Sequence, residues 1–122
     1  STEMLRSELK ENGIIGGTAV NESVFLGRVA SINYSTVTIK ERVSGCDLEF
    51  RVSVSGGVSD ITVIKNTNVA GVEFWIDKSD MSLFIKNTTT TLLQFEYTGE
   101  WLSKSPFKIG VTQPRGVFIP FT

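Results

Sequence analysis

Leu48-Glu49-Phe50-Arg51-Val52-Ser53-Val54-Ser55 alternates apolar and polar side chains without a break. An extended chain sends successive side chains to opposite faces, so this run places its apolar groups on one face and its polar groups on the other. A helix turns every 3.6 residues and would scatter the same groups around its circumference. The pattern therefore specifies a strand with one buried face. It recurs at Val72, Phe74 and Ile76 against Glu73, Trp75 and Asp77, and at Leu93, Phe95 and Tyr97 against Gln94 and Glu96. Phe107, Ile109 and Val111 alternate with Lys108, Gly110 and Thr112 in the same way. Between these runs lie Gly56-Gly57, Asn66-Thr67-Asn68, Asp77-Lys78-Ser79-Asp80, Asn87 with its threonines, and Gly99. Gly, Asn and Asp accept positive φ or bond to their own backbone, which suits turns.

Strands are expected near 23–30, 34–43, 47–55, 60–65, 71–77, 82–86, 91–98, 106–112 and 116–121. Short strands joined by short turns, with no helix between them, specify an all-β fold, here an antiparallel β-sandwich of jelly-roll type. A short N-terminal helix is expected over Thr2 to Asn12, with Ser1 or Thr2 as cap and Leu5 and Leu9 on one face. Asn12-Gly13 stops it, Ile14-Ile15 forms an apolar plug, and Gly16-Gly17 forms a hinge. The expected organisation is thus a helix and Gly-rich hinge over 1–17 and a sandwich over 18–122. The start at Ser1-Thr2-Glu3-Met4 is that of a chain whose initiator methionine was removed, or of a trimmed fragment.

The 122 residues suffice for one domain with its own core, and 40% hydrophobic with 20% charged residues is a globular balance. A net charge of −1 provides no long-range field to attract phosphate backbones or anionic lipid, so neither nucleic acid nor membrane is an expected partner. No apolar run reaches the length of a membrane span and no signal peptide opens the chain, so synthesis in the cytoplasm is expected. The triplets at Asn21, Asn33 and Asn87 match the glycan-acceptor pattern and are read as coincidence in a chain rich in Ser and Thr.

Histidine is absent and Cys46 is the single cysteine. That removes intrachain disulfides, cysteine zinc sites, histidine ligands and the usual catalytic triads together. Cys46 is read as a small buried residue. Paired acids, Asp47 with Glu49 and Asp77 with Asp80, fall on a solvated face and in a turn, where a glycosidase would need a walled cleft. Gly13-Ile14-Ile15-Gly16-Gly17 follows a helix and precedes no lysine, so it is no phosphate loop. No enzyme activity, cofactor or metal is expected.

The aromatic residues carry the positive signal. Trp75 falls on the polar side of its strand, and Phe84 and Phe118 are out of phase with the inner faces of theirs. Apolar groups on both sides of a strand imply that both sides are covered. Subunit contact is the simpler cover, with Leu5, Leu9, Ile14, Ile15, Phe84 and Phe118 as candidate interface residues. Trp101, Tyr97 and Trp75 are the candidate ligand-binding residues, because flat amphipathic rings at strand ends stack on sugars or seal interfaces.

Ser23-Val24-Phe25-Leu26-Gly27-Arg28-Val29, Leu48-Glu49-Phe50-Arg51-Val52, Val72-Glu73-Phe74-Trp75-Ile76-Asp77-Lys78 and Leu83-Phe84-Ile85-Lys86 together resemble the C-terminal β-sandwich domains of bacteriophage tail fibres and tailspikes. The likeness is one of strand order and texture over about the last hundred residues: an apolar–Leu–Gly–basic–apolar opening, a polar run, a Phe-Trp-Ile strand and a Leu-Phe-Ile partner. It implies a homotrimer in a virion tail, made in the host cytoplasm, that contacts other virion proteins and attaches to a host-surface glycan or protein. The helix with Leu5 and Leu9 then fits a three-stranded neck. Two other classes remain: a small trimeric capsid decoration protein, and a carbohydrate-active enzyme using Asp47, Asp77 or Glu96.

Overall fold

The structure is a computed structural model and describes residues 6–18, 20–67 and 71–122. One helical turn, α1 (Arg6–Leu9), precedes nine strands: β1 (Lys10–Thr18), β2 (Ser23–Val29), β3 (Thr36–Glu41), β4 (Cys46–Ser55), β5 (Val58–Thr67), β6 (Glu73–Asp77), β7 (Ser82–Lys86), β8 (Leu93–Gly110) and β9 (Val117–Phe118). Every pairing is antiparallel. The strands form one path, β5-β4-β3-β8-β2-β7-β6-β9, with β1 added on β8. The all-β antiparallel class is therefore as expected. The expected pair of separate facing layers is instead one sheet curled into a half-barrel.

The curl is made by β8. Its first half lies between β1 and β3, with Ile15 opposite Phe95 and Ile39 opposite Tyr97, and its second half runs along β2 from Trp101 to Gly110. Three register shifts interrupt the β2–β8 ladder. Such bulges bend a strand and increase its twist. At one of them Gly27 has φ 145°, and a Cβ there would lie 2.5 Å from the Ser103 carbonyl oxygen. The close approach of the two backbones thus requires glycine at this point.

The alternation reads directly into the core. Leu48, Phe50 and Val52 of β4, Phe74 and Ile76 of β6, Leu83 and Ile85 of β7, and Phe95 of β8 all point inward and are buried in one cluster. Each such side chain contributes about 1.5–3 kcal/mol relative to exposure. The chain end narrows the remaining opening between β5 and β6. Ile119 is buried there, and its N–H donates to the Phe74 carbonyl at 2.8 Å. On the other side the fully buried Asn66 donates its amide to the Ile119 and Pro120 carbonyls at 2.9 and 3.1 Å, and the Thr122 N–H returns to the Asn66 carbonyl at 2.9 Å.

The N-terminus departs from expectation. Residues 2–5 of the expected helix lie outside the described residues; of the rest, only Arg6–Leu9 are helical. Residues 10–17, read above as helix end, plug and hinge, form strand β1 together with Thr18, paired with β8 from Lys10 opposite Glu100 to Thr18 opposite Leu93. A helix of so few turns is marginal in water, and the ladder to β8, interrupted only between Ile15 and Thr18, outcompetes it. Arg6 pins the turn, its guanidinium bonding both Glu100 carboxylate oxygens at 2.7 and 3.0 Å. No helix among the described residues is long and apolar enough to cross a membrane.

Candidate interaction surface

The two halves of the curled sheet share a core but present unlike outer faces. Across β1, β8, β3, β4 and β5, one row of directly paired residues reads Ile14, Glu96, Lys40, Asp47 and Thr67. Asp47 is also tied to Lys65 at 2.7 Å. This is the solvated face usual for an antiparallel sheet. Across β8, β2, β7, β6 and β9, the corresponding row reads Phe107, Phe25, Phe84, Trp75 and Phe118. Direct cross-strand pairing puts all five on the same side, opposite the inward-facing Val24, Phe74, Leu83 and Ile85.

The rings contact one another in two groups, which the cross-strand pair of Phe84 and Trp75 brings side by side. Phe25 lies 5.1 Å from Phe107 and 5.5 Å from Phe84, both tilted. Trp75 meets Phe118 edge-on at 5.7 Å, and Phe118 meets Phe121 edge-on at 5.2 Å. These separations fall in the attractive range for aromatic pairs, worth about 0.5–1.5 kcal/mol each beyond area burial. Phe84, at the centre, is 4% exposed, while Phe107 and Phe121 at the ends are 55% and 47% exposed. The Trp75 indole N–H is satisfied by the Glu73 carboxylate at 3.0 Å, which leaves its ring as an apolar surface.

Arg115 roofs the middle of the strip, its guanidinium carbon 5.2 Å from the Phe84 ring centre. It is held there by Asp77, by Asp80 at 3.1 Å and by the Ser82 hydroxyl at 3.0 Å. The turn Asp77 to Asp80 is itself fixed locally: the Asp77 carboxylate accepts the Ser79 N–H at 3.0 Å, and that of Asp80 accepts the Ser82 N–H at 3.0 Å. Both carboxyls are held below the ordinary aspartate range. For Asp77 the causes are the Ser79 hydroxyl and N–H, then Arg115. For Asp80 burial pushes upward, but bonds from Arg115 and Ser82 outweigh it. Phe25, Phe84, Phe107, Ile109, Gln113 and Arg115 enclose a groove of about 370 Å³. With the guanidinium already bonded to carboxylates, the groove offers rings and aliphatic carbon, which suit apolar side chains better than a polyhydroxylated sugar.

The residues singled out from sequence divide accordingly. Trp75, Phe84 and Phe118 lie together in the aromatic row. Tyr97 and Trp101, expected as surface platforms, are 5% and 3% exposed and pack edge-to-face at 5.8 Å in the core. The alternation of β8 carries through Gly99, so Trp101 follows Phe95 and Tyr97 inward. Its indole N–H is buried with no acceptor among the described residues. Leu9 is buried within its own domain, Ile15 packs against the core, and Ile14 projects from the opposite face of β1 into solvent. Leu5 lies outside the described residues. Sequence reasoning missed Phe25 and Phe107. The three consecutive apolar residues Val24-Phe25-Leu26 were the available signal for the first. Phe107 was assigned to an inner face because alternation defines two faces without saying which is covered.

No protein-family profile matches the chain, and neither does any curated protein sequence. Among solved structures, the chain is similar to the crystal structure of the Acinetobacter phage vB_ApiP_P1 tailspike protein, with a TM-score of 0.46 and 14% identity. That match covers 90% of this chain and 23% of the tailspike. This chain thus corresponds to about a quarter of that protein's length.

Proposed function

We propose that this chain is a non-catalytic virion protein domain of a phage tail fibre or tailspike, which assembles as a homotrimer through its aromatic outer face and takes part in host-surface attachment. The observation that carries the assembly reading is the row Phe107–Phe25–Phe84–Trp75–Phe118, set against the charged row on the other half of the same sheet. A contiguous apolar face rimmed by polar groups is what subunit interfaces present, with aromatic residues and arginine at their centres. The virion setting rests on the strand texture described above. The non-catalytic reading is supported by two of the three acids weighed as catalysts: Asp47 is paired with Lys65, and Asp77 has its carboxyl lowered where a general acid needs it raised.

Light scattering tests the assembly. The expected mass is about three times the 13.4 kDa of one chain. Phe107→Asp places a charge in the exposed end of the row and is expected to yield a folded monomer. A trimer unchanged by that substitution would refute the role given to the row. For attachment, binding to bacterial cells supports the tail reading, whereas binding to phage capsids would move the domain to a capsid-decoration role.

A further inference from the structure

β5 ends the sheet on one side of its remaining opening and β6 with β9 on the other, and no ladder joins these two edges among the described residues. One tie across the seam is the ion pair of Asp60 on β5 with Lys78 just beyond β6, at 2.7 Å, with side chains 59% and 41% exposed. An ion pair so open to solvent is weak. The other tie is the segment 119–122. Ile119 fills the core while its N–H, donated to Phe74, extends the pairing of β9 with β6. On the β5 side the bonds converge on Asn66. Its side-chain amide holds the Ile119 and Pro120 carbonyls, its N–H donates to the Thr122 hydroxyl at 2.8 Å, and its carbonyl accepts the Thr122 N–H. Asn66 is fully buried and its side-chain oxygen has no partner among the described residues, so the cost of burying this amide is offset only when the segment is in place.

The outer side of the same segment is aromatic. Phe118 meets Trp75 edge-on and Phe121 meets Phe118, so one end of the aromatic row is built from the residues that close the seam. Resting on the assembly reading above, though not on the number of copies, we propose that residues 117–122 are a strap whose docking through Ile119 and Asn66 completes the aromatic face and thereby licenses assembly. A copy with its strap displaced lacks Phe118 and Phe121 at the end of the row. Only docked copies present the whole face, and the apparent affinity between copies falls with the docked fraction. The linkage is reciprocal, so assembly holds the strap down.

Asn66→Ala removes the anchor and leaves every ring of the row unchanged. Hydrogen exchange at Ile119 and Thr122 reads strap docking, exchange at Val52, whose N–H bonds the Ser35 carbonyl in the other half of the sheet, reads the fold, and light scattering against concentration reads assembly. The expected result is exchange faster by about tenfold or more at Ile119 and Thr122, wild-type exchange at Val52, and an assembly midpoint raised in concentration by about tenfold or more. Where Asn66→Ala speeds Val52 as well, Thr122→Pro, which removes one donor to Asn66 and one acceptor from it, is expected to give the same pattern, read at Ile119. Faster strap exchange with an unchanged assembly midpoint would overturn the coupling while leaving the assembly reading intact. Wild-type protection of Ile119 in both variants would overturn Asn66 as the anchor. A monomeric mass for the unmodified chain at every concentration would remove the assembly reading and the coupling with it.

Discussion

Arg115 shows how one side chain couples local charge to the aromatic strip. It joins Asp77, Asp80 and Ser82 while its plane covers Phe84, so Arg115→Ala removes a small ion network and a ring contact together. Exposed ion pairs are worth about 0–1 kcal/mol and an exposed cation–π contact about 0.5–1 kcal/mol. The expected loss is about 1–2 kcal/mol in denaturant unfolding at neutral pH. Both aspartates have folded-state pKa values below their ordinary value of about 3.9. Their stabilising contribution is therefore complete above that value and is lost as pH falls through the lowered ones. The difference between wild type and Arg115→Ala should stay level from pH 8 to 5 and shrink toward pH 2. A difference that persists undiminished in acid would contradict the ion-network explanation. Residues of this kind are only partly legible in sequence. Asp77-Lys78-Ser79-Asp80 announces a turn, but nothing nearby announces that Arg115, from beyond β8, lies across it.

At the level of elements, legibility followed the strength of the local signal. β4, β6 and β7 stand within a residue or two of their expected bounds, because unbroken alternation over a one-sided core leaves no other solution. β8 was expected as two strands, near 91–98 and 106–112, because Gly99 reads as a turn residue. Pro106 is tolerated because it falls in the bulge where Phe25 pairs with Phe107 and Gly27 with Lys104, so no ladder hydrogen bond is asked of it. β1 was illegible for the opposite reason: Leu5 and Leu9 carry a helical spacing, and the partner that converts Lys10–Thr18 to strand lies some eighty residues away. The C-terminal strand offers a prediction at this level. Gly116, with φ 94°, brings β9 onto β6 so closely that a Cβ would overlap the Ile76 carbonyl. Gly116→Ala should cost about 1–3 kcal/mol and raise hydrogen exchange at Ile119 and Thr122, whose N–H groups bond Phe74 and Asn66. Unchanged protection there would mean that β9 docking does not depend on this approach.

For the molecule as a whole, the deciding feature is the inequality of the two outer faces. A shared core, one continuous sheet and a β8 strand that crosses from one half to the other leave the halves equally folded, yet only one is aromatic outside. Through Trp75, Phe84 and Phe118 the sequence disclosed that apolar side chains fall on a second face. It did not disclose the row, because a row is set by cross-strand register, and register depends on bulges such as that at Gly27. Trp101→Phe separates the two indoles of the chain; it leaves a smaller ring in the core but also deletes a buried N–H without an acceptor among the described residues, and should cost about 1–3 kcal/mol. In that variant all tryptophan emission comes from Trp75 in the row. Acrylamide quenching of this emission tests directly whether the face is covered: the account predicts a shielded indole at assembly concentration that becomes accessible on dilution to monomer. An indole quenched equally at every concentration, as a partly buried side chain on a free surface would be, would contradict it.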